Sequence, residues 1–304
     1  MRMRKTAAAG AVVLALAATA TACGGKSGSA GDKSAGTDVY SHDYTPAKSV
    51  KVDSPVLKAA QKKGTITIGV KADQPFLGFQ DPSTKKYSGF DIEIAKMVAA
   101  DLGFSTKQIK FATVDSNARE NKISGHDVDF FVGTYTINNE RKRLVGFAGP
   151  YYTAGADLLV RKDEKSITGP DSLKGKKVCS IKGSTPLQEI KKAKYGAKET
   201  MELNRYSLCV TQLLNGGVDA VTTDDAILKG FAAQRPTKLR VVDNPFTKEP
   251  YGVGLDKNDK ALREAITKAL EHHIQNKDYE KAYRGTLGKS GSKFVAPQTP
   301  LPRD

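Results

Sequence analysis

Thr134, Thr136 and Arg141 stand close together in residues 133–152, GTYTINNERKRLVGFAGPYY. They follow residues 128–132, VDFFV, an apolar run of the length of a buried strand. Hydroxyls and backbone N–H groups at a strand's C-terminal edge, with an arginine a few residues on, can hold a small carboxylate. The guanidinium fork matches that group with two parallel bonds. The competing reading is a turn carrying a solvated charge run, ERKR at 140–143. A second anion-facing pattern is VCSI at 178–181 followed by KGSTP, where Ser184 and Thr185 open a helix. It is weak alone, because many strand–helix loops read this way. The run 218–225, VDAVTTDD, places Asp224 and Asp225 at a strand end, where one can serve as a cation partner and either can cap a helix.

These side chains need strands and helices to position them. Residues 65–70, TITIGV, alternate with period two and predict a first strand. It leads into the loop KADQPFLGF at 71–79, and ligands of open α/β sheets bind at such loops. Ser54 and Pro55 start a short helix as N-cap and first residue. Gly89-Phe90-Asp91 opens another, with Ile92, Ala95, Met97, Val98 and Leu102 as its buried side. Asp91 and Glu93 read as partners of its dipole. Asp115 or Ser116 can cap a helix bearing Arg119, and Asp259 can cap the helix 260–275. Two strand–helix halves result, with the chain crossing between them near 152–157 and again near 249–254.

Residues 133–152 resemble the segment T-x-T-x-x-x-E-R-x-x-x-V-x-F-x-x-P-Y-Y of family 3 solute-binding proteins, the polar amino-acid receptors of ABC importers. Gly89-Phe90-Asp91-Ile92-Glu93-Ile94 independently fits that family's G-F-D signature. The likeness is strongest to actinobacterial glutamate-binding lipoproteins, which share Asp73-Gln74-Pro75, FAGPYY at 147–152 and a cysteine pair in the second lobe. The resemblance covers about residues 63–287. It implies an α/β, two-lobed periplasmic-binding-protein-like fold (type II), each lobe a βα sheet domain joined by a two-strand hinge. It places lobe 1 at 54–152 plus 254–287, lobe 2 at 157–248 and a flexible C-terminal tail at 288–304. Transferred by position, it implies that Arg141 clamps an α-carboxylate, that Thr134, Thr136, Ser184 and Thr185 add hydrogen bonds, and that Asp224 takes the ammonium group. Asp73 is the first-lobe carboxylate near the same place. An acidic ligand side chain needs a second cation, because a buried unpaired carboxylate is costly. Lys71 and Arg119 are the two best placed, with Arg161 and Lys182 also near element ends. A surface charge is the alternative for each. Phe76, Phe79 and Tyr152 can wall the cleft or pack in the core.

Residues 1–22 combine a positive start, an alanine-rich apolar stretch too short for a good membrane span, and small residues before Cys23. This is a secretory signal and resembles a lipobox, with Ala20 where leucine is usual; an ordinary signal peptide is the alternative. Cys23 is then the lipidated mature N-terminus and 23–53 a flexible linker rich in Gly, Ser, Ala and Lys. In an exported chain the remaining pair, Cys179 and Cys209, predicts a disulfide worth about 3–4 kcal/mol of loop closure. Their spacing is no metal signature, and His272 and His273, adjacent on a helix, are expected to point apart.

The chain has 304 residues, 27% charged and 39% hydrophobic, ordinary for a globular protein of two modest domains. The net charge of +15 suits an acidic ligand or an anionic surface. Nucleic acid fits poorly, since the lysines are dispersed and no recognition motif is present. The expectation is therefore an extracytoplasmic receptor on the outer membrane face, without cofactor. Its expected ligand is glutamate, with aspartate or glutamine as alternatives. Its partners would be a permease and a separate ATPase, since this chain has no Walker motif. An enzyme on the same scaffold, such as a small dehydratase, would need a nucleophile–base set or a spare acid at a reacting carbon, which the motifs do not supply. A soluble ligand sensor is the third reading.

Overall fold

The computed structural model describes residues 40–303; the leader, Cys23 and the linker as far as residue 39 lie outside the described residues. The chain runs α1 (Pro55–Lys63), β1 (Ile66–Val70), β2 (Asp73–Gln74), β3 (Gly78–Gln80), β4 (Tyr87–Ser88), α2 (Phe90–Asp101), β5 (Ile109–Thr113), α3 (Arg119–Ser124), β6 (Phe130–Val132), α4 (Asn139–Lys142) and β7 (Gly146–Ala154). It continues through β8 (Ala156–Arg161), β9 (Lys177–Ile181), α5 (Thr185–Ile190), β10 (Glu199–Leu203), α6 (Tyr206–Leu214), β11 (Ala220–Asp224), α7 (Asp225–Gln234), β12 (Leu239–Val241), β13 (Glu249–Leu255), α8 (Lys260–Gln275) and α9 (Asp278–Gly285).

Two five-stranded sheets organise these elements, in the orders β5-β1-β6-β13-β7 and β10-β9-β11-β8-β12. In the first, β1 lies between parallel β5 and β6. In the second, β9 lies between parallel β10 and β11. The chain therefore leaves β1 and β9 in one direction along each sheet and later returns on their other side. That makes a topological switch point at the carboxyl ends of β1/β6 and β9/β11, where open α/β sheets bind ligands. Thr134 follows β6, Ser184 follows β9, and Asp224 ends β11.

The lobes are joined twice. β7 passes through Gly155 into β8, and the chain returns from β12 to β13. β13 pairs antiparallel with β7 from Glu249↔Ala154 to Leu255↔Gly146. Ala156 N donates to Thr247 Oγ1 and Phe246 N to Ala156 O, each at 2.9 Å, so the two crossings are zipped together. The Cys179–Cys209 disulfide joins β9 to α6, with both residues in the core. Among the described residues, no helix is long and apolar enough to cross a membrane.

Three sequence expectations differ from the structure. The loop at 71–79 supplies β2 and the start of β3, which with β4 form a small sheet whose pairing Asp73↔Phe79 no hydrophobic pattern announces. The flexible-linker reading of 23–53 does not hold for residues 40–53. Tyr44 is buried and donates to Glu93 Oε2 at 3.1 Å, and Ser41 Oγ accepts from Lys96 at 2.7 Å. Helix α2 is thus buried all round rather than on one side, and its internal Glu93–Lys96 pair (2.7 Å) is covered by that segment. The tail at 288–304 is also docked. Leu301 is buried, its N–H donates to Glu271 at 2.7 Å, and Arg303 pairs with Glu264 at 2.9 Å and Glu271 at 2.7 Å. Composition rich in Gly, Ser and Pro hides a segment held by a few long side chains.

Candidate ligand-binding cleft

Helix α4 is one turn long and exists because Asn138 caps it, accepting from Arg141 N at 2.9 Å. That cap aims Arg141 into the space between the lobes. The side chain is only 7% exposed. It donates from Nη1 to Thr136 O (2.7 Å) and from Nη2 to Gly183 O (2.9 Å). Glu120 stands behind it, 3.6 Å from Nε. Arg119, the first residue of α3, lies beside it, donating to Ser116 O and to Gly183 O, each at 3.0 Å. Its guanidinium stacks on Tyr135, 4.3 Å from the ring centroid. Burial, and next the neighbouring Arg141 charge, pull the Arg119 pKa down to about 10.

Opposite them, Asp224 ends β11. It stands at the N-cap position of α7, yet its side chain makes no capping bond. Instead Oδ2 accepts from Tyr251 OH at 2.6 Å, and Oδ1 is buried without a hydrogen-bond partner. Burial, followed by repulsion from Glu249, pushes its carboxyl up to about 8. Asp225 has different work: it accepts from Gly155 N at 3.2 Å and pairs with Lys229 at 2.8 Å. The two adjacent acids are thereby separated, one to the cleft and one to the crossing.

Ser116, Arg119, Thr134, Thr136, Arg141, Ser184, Thr185, Pro186, Tyr206 and Asp224 line one space of about 220 Å³, counting its mouth. Several hydroxyls are already engaged. Thr134 Oγ1 exchanges with the Gln74 amide (3.1 Å), Thr185 donates to Glu249 at 2.6 Å, and Ser184 donates to Ile181 O at 2.8 Å while capping α5. Thr136 and Thr185 face each other across the lobes at 3.4 Å.

Lys71, Asp73, Phe76 and Arg161, with Lys182, Phe79 and Tyr152, do not line this space. Lys71 is buried and turned back, donating to Val114 O (3.2 Å) and Ser116 Oγ (3.1 Å); burial pulls its pKa down to about 8. It therefore supports a cleft residue instead of lining the cleft. Asp73 reaches the other lobe and accepts from Ser207 N at 3.1 Å and Ser207 Oγ at 3.3 Å, capping the start of α6. Phe76 occupies the turn between β2 and β3 at φ 66 and is half-buried outside the lining. Arg161 donates to Leu213 O and Val218 O, away from the cleft. Sequence reasoning missed Tyr206, Tyr251 and Glu249. Their one signal was position: Tyr206 begins a helix, and the other two lie in the second crossing. Ser116 was read as a possible cap, whereas Ala118 holds that position.

Two α/β lobes, joined by paired strands and closing on a small polar cleft with two guanidiniums and one buried acid, define a type II periplasmic-binding-protein fold. Comparison with known proteins agrees. Residues 66–289 match the model of the bacterial extracellular solute-binding proteins, family 3, and the chain belongs to that family. It is similar to the glutamate-binding protein GluB of Corynebacterium efficiens, 38% identical over 80% of this chain and 85% of that one. It is also similar to the glutamine-binding protein GlnH of a Bacillus subtilis ABC transporter, 36% identical over 75% and 83%. Among solved structures, an ancestral arginine-binding protein bound to arginine superposes with a TM-score of 0.68 at 36% identity, covering 73% of this chain and 97% of that one. The chain is thus a solute-binding protein of amino-acid ABC transport.

Proposed function

We propose that this chain is the lipid-anchored, extracytoplasmic receptor of an ABC importer for an acidic amino acid, with glutamate as its ligand. One observation carries the reading: Arg119 and Arg141 line the same closed cleft opposite a single carboxylate, Asp224. An amino-acid zwitterion uses Arg141 for its α-carboxylate and Asp224 for its ammonium group. Arg119 is then left over, and a second carboxylate is its natural partner, because charge-assisted bidentate pairing is strong in a dry site. The name of the Corynebacterium efficiens relative supports the same ligand. Closure of the lobes around the ligand is the signal passed to the permease, and a cytoplasmic ATPase drives transport. Asp224, the one acid lining the cleft, has a ready receptor role as partner of the ammonium group, which favours a receptor over an enzyme.

A second reading, a neutral ligand such as glutamine, is favoured by a specific feature. Arg119 already donates to Ser116 O and Gly183 O, so it can serve as a clasp between lobes. The Bacillus subtilis relative carries a glutamine-binding name. The variant Arg119→Gln separates the two. As a selector, Arg119 makes glutamate binding fall about 100-fold or more while glutamine changes little. As a clasp, both ligands lose affinity equally, and the acidic assignment fails.

A further inference from the structure

At the far end of α2 from the cleft, three metal-ligating side chains converge on one point. Asp101 is the last residue of α2, and His272 and His273 sit in the last turn of α8. The two imidazoles do not point apart as adjacency on a helix suggests. Their rings lie 4.7 Å apart between centroids, and both turn to Asp101. His272 Nδ1 is 2.8 Å from Asp101 Oδ2, and His273 Nε2 is 3.4 Å from Asp101 Oδ1. One ligand atom from each residue falls within 4.8 Å of the others.

His273 supplies a second, independent observation. It is 4% exposed, and its Nε2 is buried without a hydrogen bond. Its other nitrogen, Nδ1, faces Asp278 Oδ2 at 3.1 Å. With Nδ1 turned to Asp278, His273 presents Nε2 to the Asp101 carboxylate. A cation between that nitrogen and the carboxylate would engage both. A histidine whose far nitrogen is held by a carboxylate is the arrangement that orients zinc ligands. For metal–ligand distances of about 2.0–2.1 Å, tetrahedral geometry separates ligand atoms by about 3.3 Å, close to the His273–Asp101 spacing.

The surroundings also favour a cation. The C-terminal ends of α2 and α8 both meet here, and helix C-termini carry partial negative charge. Asp278 begins α9, holding His273 on one side and Lys281 (3.3 Å) on the other, while the Tyr44 ring closes the inner side 5.3 Å from His273. Asn276 Nδ2 lies 2.9 Å from Asp278 Oδ2 and 3.5 Å from the outer nitrogen of His272.

We infer that Asp101, His272 and His273 form a binding site for a divalent transition metal, zinc being the representative ion, which staples the ends of α2 and α8 on lobe 1. Two imidazoles and one carboxylate suit Zn²⁺, Cu²⁺ or Ni²⁺ and discriminate against Mg²⁺ and Ca²⁺, which prefer all-oxygen sites. The site lies about 15 Å of helix away from Asp91, at the cleft end of α2, so metal and amino acid bind without sharing ligands.

The test is calorimetric titration of zinc sulfate into tag-free, chelator-stripped mature protein, with thermal unfolding in parallel. One zinc per chain is expected, binding at micromolar or tighter affinity, raising the unfolding temperature and persisting in 100-fold excess Mg²⁺. His273→Gln should weaken it at least tenfold. Because that residue is buried, the exposed His272→Gln provides the folding-neutral check and should weaken it comparably, while amino-acid binding stays at its wild-type value. No zinc binding below millimolar, equal competition by Mg²⁺, or undiminished binding in His272→Gln would overturn the site.

Discussion

Replacing Gly183 by alanine should cripple ligand capture while leaving the lobes folded. Gly183 has φ 79, the left-handed region, and its carbonyl accepts from both Arg119 and Arg141 across the cleft. A Cβ there would stand 2.8 Å from Asn117 N and Asn117 Cα, backbone atoms of the opposite lobe that cannot rotate away. Two costs follow. Left-handed strain of about 1–2 kcal/mol weighs on open and closed forms alike and lowers stability. The steric cost, about 1–3 kcal/mol on the scale of overpacking, exists only when the lobes meet. Affinity should therefore fall about 5- to 150-fold. Gly175 separates the two effects, because it has φ 76 and nothing within 4 Å of an added Cβ. Gly175→Ala should lower the unfolding temperature and leave the dissociation constant unchanged. Titration calorimetry and thermal unfolding of both variants make the comparison. Wild-type affinity in Gly183→Ala, or an equal loss in Gly175→Ala, would refute the claim that binding requires this contact.

Asp73→Ala removes a cap made across the lobes, and a cap contributes about 0.5–2 kcal/mol. Ligand affinity should drop about 2- to 30-fold with little change in unfolding of the ligand-free protein; an unaltered affinity would make Asp73 irrelevant to closure. Asp224 holds its proton in the closed fold up to about 8 but in the unfolded chain only to about 3.9. The native state therefore binds more protons between these values, and ligand-free stability falls as pH rises through them. Asp224→Asn should flatten that slope. An ammonium group beside Asp224 favours its ionised form, so binding at pH 6.5 should release up to one proton, seen as a binding heat that varies with the buffer's ionisation enthalpy. The release should shrink above pH 8 and vanish in Asp224→Asn. Removing the disulfide with Cys179→Ala and Cys209→Ala should cost about 3–4 kcal/mol, or roughly 6–16 °C in unfolding temperature at this size. A smaller shift would mean the bridge adds little to packing around β9 and α6.

The cleft was legible in the sequence where a side chain follows directly from a strand end. Thr134, Thr136 and Asp224 come off β6 and β11, strands whose apolar runs fix both their depth and their exit, and Arg141 follows on the one-turn helix α4. The same logic places Ser184 after β9. Legibility failed where a long-range partner decides the outcome. Lys71 leaves β1 at the right level, but Val114 O and Ser116 draw it sideways, and no local pattern encodes that. Asp73 reads as a ligand acid because its true partner, Ser207, lies in the other lobe. Glu93, read as a partner of the helix dipole, and Lys96 sit on a helix whose sequence shows one apolar side. They are buried because Tyr44 and Ser41 satisfy them from a segment whose composition reads as irregular. His272 and His273 converge because Asp101 and Asp278 attract their rings from other elements.

The central claim is that two guanidiniums and one acid in a closing cleft select an acidic amino acid. Calorimetric titration of the mature wild-type protein with glutamate, aspartate, glutamine, asparagine and arginine tests it most directly. Stoichiometric binding of glutamate, at least tenfold tighter than glutamine and abolished by Arg141→Ala, is the predicted result. Preference for glutamine or arginine would contradict the acidic selection, and no binding of any amino acid by folded protein would contradict the receptor assignment itself.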